Sequence, residues 1–162
     1  NEPNGWLVIT GKPGSGKTHL AAAIANSWAA QFKNPIFTNV PDLLDHLRAT
    51  FSPKSATTYD GQFEELKNAE CLVLDDVAVF SATPWAVEKL YQLLNFRHLN
   101  NRPTVITLGN VHDLEANSPR IYSKLSDTHL CKIFDLGVGA YGDYKTKKPT
   151  YKKSETKAPK GF

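Results

Sequence analysis

An α/β architecture, with a parallel sheet layered between helices, is the fold this sequence predicts. Three observations carry it. The strand-like run Trp6-Leu7-Val8-Ile9-Thr10 leads into the glycine-rich stretch Gly11–Thr18 and then into an alanine-rich helical segment. A second apolar run, Cys71-Leu72-Val73-Leu74, stops on the adjacent acids Asp75 and Asp76. Around them, helical and strand-like segments alternate along the chain, and continuous apolar strands separated by helices mark a parallel sheet covered on both faces. With 162 residues, 41% of them hydrophobic, the chain is long enough for one compact domain with a core.

Each element follows in order. Gly11-Lys12-Pro13-Gly14-Ser15-Gly16-Lys17-Thr18 spells G-x-x-x-x-G-K-T between a strand and a helix, the context a phosphate-binding P-loop requires. The glycines let backbone N–H groups converge on phosphate oxygens, and the helix start adds its positive dipole end. Lys17 supplies charge toward the β- and γ-phosphates, and the Thr18 hydroxyl is placed to ligate Mg²⁺. Gly11, Pro13, Gly14, Ser15, Gly16, Lys17, Thr18 and His19 are the candidate nucleotide-binding residues, with a local packing or capping role expected of His19.

Ile36–Val40 reads as a short strand, and Pro41 suits the first turn of a helix over Asp42–Phe51, where Leu43, Leu47 and Phe51 make one buried stripe. Ser52–Gly61 reads as a polar loop, followed by a short helix with Phe63 and Leu66. Thr83-Pro84 opens a helix whose core face is Val87, Leu90, Tyr91 and Leu94. Thr104–Leu108 is a further strand, Ser118-Pro119 starts another helix, and Leu130–Phe134 is the last strand. Trp6, Trp28 and Trp85 are expected to be core or interface aromatics.

Leu72-Val73-Leu74-Asp75-Asp76 has the form of a Walker B. A carboxylate closing a central strand lies beside the phosphate loop in doubly wound sheets. Asp75 would hold Mg²⁺ through its water shell, and Asp76 would orient the attacking water. Two neighbouring carboxylates repel, so their placement calls for a cation nearby.

Charge divides unevenly along the chain. From Lys145 to Phe162 there are seven lysines and one glutamate, a net +6, while residues 1–144 carry −3. Residues 1–144 are therefore expected to be the folded core. Residues 145–162 are expected to be a basic, disordered tail, either solubilising or weakly attracted to nucleic acid. Cys71 and Cys131 sit in or beside apolar runs without C-x-x-C spacing, which favours reduced core thiols and a cytoplasmic protein over a disulfide framework or zinc site. No membrane span or secretory leader is visible. The chain begins at Asn1 and has no methionine, as expected of a piece or processed form of a longer polypeptide.

From about Gly5 to Lys145 the chain resembles the AAA+ ATPases of the DnaC-type helicase loaders and the related IstB transposition helpers. Gly11–Leu20, Val40-Pro41-Asp42-Leu43-Leu44, Leu72–Val77, Tyr91–Arg97, Pro103–Thr107 and Pro119-Arg120-Ile121 carry the resemblance. It implies a five-stranded αβα sandwich of strand order 5-1-4-3-2, with ATP or ADP and Mg²⁺ at a subunit interface. It also implies self-association through that nucleotide, a replicative helicase or transposase as partner, possible single-stranded DNA binding, and no membrane. Phe51, Lys54 and Tyr59 surround the loop where loaders face DNA, although Phe51 also completes the helical stripe.

Two departures bear on catalysis. Relatives commonly end the strand after Walker B on T-T-N or T-S-N, whose Asn senses the γ-phosphate. Here Thr107-Leu108-Gly109-Asn110 brings the Asn one position late; Gly109 could allow a bulge that returns Asn110 to the site, and a turn asparagine is the alternative. Loaders often carry two arginines four residues apart as trans-acting fingers, and here the pair is Arg120 and Lys124. Lysine lacks the planar fork, so Arg120 is the expected finger, with a plain surface arginine as the alternative. The expected catalytic residues are thus Lys17, Asp76, Asn110 and Arg120, with Thr18 and Asp75 on the metal. Hydrolysis by one isolated subunit is expected to be slow. A small-molecule kinase and a nucleotide-binding scaffold without turnover are the other readings.

Overall fold

In a computed structural model of the protein, the structure describes residues 5–31, 33–49, 59–77 and 83–137. Phe51, Lys54 and the Lys145–Phe162 tail lie outside them, as does the side chain of Tyr59.

Five parallel strands form one sheet: β1 (Trp6–Thr10), β2 (Pro35–Asn39), β3 (Cys71–Asp75), β4 (Thr104–Leu108) and β5 (Cys131–Asp135). Their order is β2-β3-β4-β1-β5, the expected 5-1-4-3-2 read from the other edge. The helices are α1 (Lys17–Ala29), α2 (Val40–Ala49), α3 (Tyr59–Asn68), α4 (Pro84–Leu99), α5 (Asp113–Asn117) and α6 (Pro119–Leu125). Alternating side chains divide the core between the two faces of the sheet. Ile9, Val73 and Val105 pack with Ala21 and Ala25 of α1. Val8, Leu72, Leu74 and Ile106 pack with residues of the other helices, among them Leu47, Phe63, Leu94, Leu114 and Ile121.

Local chemistry moves several boundaries. Helix α2 begins at Val40, because the Asn39 side chain accepts the Asp42 N–H at 3.4 Å and acts as the cap. Helix α3 begins at Tyr59, inside the expected polar loop. The short α5 has too few residues for a periodic signal and was not expected. In α4, capped by the Thr83 hydroxyl on Ala86 N–H at 3.3 Å, the buried set is Ala86, Leu90, Leu93, Leu94 and Arg97, with Val87 and Tyr91 half-buried. Flanking helices α3 and α6 widen its buried arc beyond one stripe.

Strand β5 starts one residue late because Leu130 sits in a turn, from which its carbonyl accepts the Trp6 N–H at 2.8 Å. Ile133 and Phe134 remain 48% and 51% exposed at this sheet edge, so burial on both faces holds for the inner strands and not for β5. Trp6 is buried, with its indole N–H on the Arg102 carbonyl at 3.0 Å, while Trp28 and Trp85 are half-buried against the two cores. Cys71 and Cys131 are buried free thiols.

Arg97 is fully buried on α4 and donates to the carbonyls of Leu66, Lys67, Ala69 and Pro103 and to the Thr104 hydroxyl, all at 2.7–3.1 Å. Three of those carbonyls lie at or just beyond the end of α3, where backbone acceptors lack helical partners. Burial lowers the guanidinium pKa to about 10, with the Arg102 charge adding to the effect. It stays charged at neutral pH and pins α3 to the start of β4.

Candidate nucleotide-binding site

The site lies where the chain leaves β1 for a helix on one face of the sheet and leaves β4 for helices on the other. Such a reversal opens a crevice at the carboxyl ends of the strands. Here it contains a cavity of about 330 Å³ lined by Thr10, Gly11, Lys12, Gly109, Asn110, Asp135, Leu136 and Gly137. The cavity thus adjoins the glycine loop.

Within the loop, Gly11 has φ 149°, and a Cβ there would stand 2.8 Å from Ser15 Oγ and 3.0 Å from the Leu136 carbonyl. No larger residue fits without displacing that backbone. Gly16 caps α1 at φ 98° and offers no side-chain acceptor, and the first turn has no acidic residue. By contrast with α4, α1 keeps its leading N–H groups open to an anion. Ser15 Oγ is buried without a hydrogen-bond partner in the same loop. Lys17 Nζ donates to the Gly11 and Lys12 carbonyls at 2.8 and 3.1 Å, which folds its charge back over the loop. Gly14 has φ 78°, and Pro13, Gly14 and His19 are exposed around this cradle.

The second half of the site comes from β3. Thr18 Oγ1 lies 3.1 and 3.0 Å from the two carboxylate oxygens of Asp75. Asp75 is buried and also accepts from the Thr107 hydroxyl at 2.6 Å. Asp76 follows in a left-handed conformation, φ 57°, which aspartate and asparagine visit more readily than other residues with a Cβ. Two hydrogen bonds hold this turn: Asp76 N–H on Thr107 Oγ1 at 2.9 Å, and Val77 N–H on the Thr107 carbonyl at 2.8 Å. The Asp76 side chain itself is exposed.

Strand β4 pairs with β1 in unbroken register from Trp6↔Thr104 to Thr10↔Leu108, so the expected bulge at Gly109 does not form. Instead the Gly109 carbonyl continues the ladder by accepting the Gly11 N–H at 3.0 Å. Asn110 nevertheless lines the cavity, with its side-chain oxygen accepting the His112 N–H at 3.0 Å. Arg120 lies elsewhere, exposed on α6. It donates to Glu88 at 3.0 Å and stacks over Tyr91 with 3.7 Å to the ring centroid. The structure therefore joins Thr18 to Asp75, with Lys17 and Asp76 next to them in the chain, sets Asn110 in the wall of the cavity that adjoins the glycine loop, and gives Arg120 partners on α4.

Sequence reasoning missed Thr107, whose signal was a hydroxyl residue inside an otherwise apolar buried strand. It also missed Asp135, which lines the cavity and accepts from Thr10 Oγ1 at 3.1 Å.

A profile of the IstB-like ATP binding proteins matches residues 2–114, most of the chain. The chain belongs to the IstB-like ATP-binding family. Relatives include the replicative helicase loader DnaC of Escherichia coli K12, 31% identical over 109 residues, covering 67% of this chain and 44% of the relative. The phage-like element PBSX protein XkdC of Bacillus subtilis is 32% identical over 133 residues, covering 75% of this chain and 48% of the relative. The chain thus spans a little under half the length of these relatives.

Among solved structures, the DnaC helicase loader superposes with a TM-score of 0.71 at 23% identity, covering 83% of this chain and 79% of that one. DnaI gives 0.69 at 24% identity, over 86% and 76%. AMPPCP-bound DnaA from Aquifex aeolicus gives 0.70 at 19%, over 83% and 41%. At such identities these likenesses establish the fold, the AAA+ type of P-loop sandwich. Among the described residues no helix is long and apolar enough to cross a membrane.

Proposed function

We propose that this chain is an ATP-hydrolysing switch that assembles with copies of itself and acts as a DnaC-like helicase loader, a role suggested by its likeness to that loader. The observation that carries the ATPase part is the contact of Thr18 with Asp75, which joins the phosphate loop to the acidic strand end. Two oxygen-bearing side chains suit Mg²⁺, which takes few protein ligands and completes its shell with water and substrate phosphates. The bare helix start and the partnerless Ser15 hydroxyl fit a phosphate-bearing ligand in the same loop. Bound there, Mg²⁺ would neutralise charge on the β- and γ-phosphates. Thr18 would be its direct ligand and Asp75 would hold its water shell.

Lys17 would turn from its own loop carbonyls to the phosphates. Asp76, exposed at the strand end, would orient a water toward the γ-phosphate. Asn110 would sense that phosphate from the cavity, and the exposed Arg120 would reach a neighbour's nucleotide in trans. ATP would thereby favour the assembled state and its hydrolysis release it. Single-stranded DNA and a ring helicase would be the partners. The family's IstB-like character supports a second reading, a transposition helper that recruits a transposase with the same engine.

The test is phosphate release against protein concentration with and without single-stranded DNA, together with capture of purified replicative helicase or transposase. Release that climbs faster than linearly with protein, and capture of the helicase, are expected. Tight ATP binding without release would replace the switch with a scaffold, and capture of only the transposase would select the second reading.

A further inference from the structure

Strand β4 carries a polar side chain for which the nucleotide reading has no use. Thr107 is 1% exposed, between Ile106 and Leu108 on a strand buried along its length. A threonine hydroxyl has one proton to give and two lone pairs to offer. Here the proton goes to Asp75 Oδ1 at 2.6 Å, and a lone pair takes the Asp76 N–H at 2.9 Å. A single hydroxyl therefore grips the carboxylate of one acid and the main chain of the next. The second grip matters because Asp76 has φ 57°, a left-handed conformation that aspartate visits more readily than most residues but that only a partner for its N–H fixes in place. The Thr107 carbonyl reinforces it by accepting the Val77 N–H at 2.8 Å.

We infer that Thr107 is the positioning residue of the acidic pair, turning the Asp75 carboxylate toward Thr18 and fixing the backbone from which Asp76 projects. The inference rests on the ATPase reading of this site. Buried behind Asp75, Thr107 acts through the two acids. A valine would fill the same space, yet it would leave Asp75 without its shortest hydrogen bond and the Asp76 N–H without its acceptor. Packing and positioning thus make opposite demands on the side chain: the first needs the methyl, the second the hydroxyl.

The experiment compares the unaltered chain with Thr107→Val and Thr107→Ser. Two quantities are measured: amide hydrogen exchange at Asp76 without ligand, and ADP affinity with and without Mg²⁺. Phosphate release is followed alongside. Partners that orient metal ligands are typically worth roughly 10–100-fold, so Thr107→Val should lose about tenfold or more of the Mg²⁺-dependent affinity and of kcat. Metal-free ADP affinity should hold, and Asp76 exchange should accelerate. Thr107→Ser should keep all of these near the unaltered values. Unchanged Mg²⁺ dependence and exchange in Thr107→Val, or loss in Thr107→Ser as large as in Thr107→Val, would overturn the inference. If Thr107→Val does not fold, the serine variant decides alone. Should the unaltered chain release no phosphate, the ATPase reading fails, while exchange at Asp76 still judges the positioning.

Discussion

The Thr18 hydroxyl meets both carboxylate oxygens of Asp75, at 3.1 and 3.0 Å, across 57 residues of chain. This contact fastens the first turn of α1 to the end of β3, although β1 and β3 are not neighbours in the sheet. Strand β4 lies between them, and Thr107 on it supplies the third hydroxyl-to-carboxylate link. The metal ligands proposed here thus come from two elements held in place by a third.

Asp76→Asn should preserve ATP binding and abolish turnover. The amide keeps the shape of the side chain and tolerates the left-handed backbone, since Asn and Asp both visit it. It lacks the negative charge needed to polarise water. Equilibrium binding of a fluorescent ATP analogue, followed by single-turnover phosphate release, separates the two effects. Unchanged release would assign the water to another group.

Arg120→Ala should leave ATP affinity of the single chain unaltered while lowering the turnover of concentrated protein by roughly 10³, the scale of arginine fingers in other nucleotide hydrolases. Lys17→Ala should lose nucleotide binding but keep its Arg120. Mixing the two defective proteins should restore part of the activity, because the finger of one serves the intact loop of the other. A mixture as inactive as its components would confine Arg120 to its Glu88 and Tyr91 contacts.

Arg97→Ala should destabilise the domain by about 3 kcal/mol or more, since it leaves buried carbonyls unpaired and opens a cavity. Thermal unfolding of the purified variant would show this as a drop in Tm of roughly 10 °C. Arg97→Lys should recover only part of the loss, because an ammonium has three donors and no fork to span α3 and β4.

Asp127 provides an acid-sensitive contact. Its carboxylate accepts the His129 N–H at 3.0 Å and sits 2.9 Å from His98 Nε2. The backbone hydrogen bond, chiefly, and then His98 hold its pKa below the ordinary 3.8. A carboxyl depressed in the folded state contributes stability that is fully present above its unfolded pKa and lost as pH falls through the folded one. The difference in Tm between the unaltered chain and Asp127→Asn should therefore shrink as pH falls from about 5 toward about 2. A difference that stays constant down to pH 2 would show that the charge contributes nothing.

Motif, period and end signals made much of this molecule legible in its sequence. The loop Gly11–Thr18, the acid-terminated strand at Asp75 and the strand Thr104–Leu108 are all written in short-range residue patterns, because backbone geometry and hydropathy act over a few neighbours. The order of strands came from family resemblance, and the sheet agrees with it. What the tertiary structure alone decided are the pairings made between distant segments. Thr107 reads as one more β-branched strand residue until packing sets it against Asp75 and Asp76. Arg97 reads as a charged helix end until α3 brings its carbonyls to it. Gly109 reads as a bulge until the Gly11 N–H finds its carbonyl in register. A hydrogen bond is decided by distance and direction, and for these residues both exist only after the sheet has assembled.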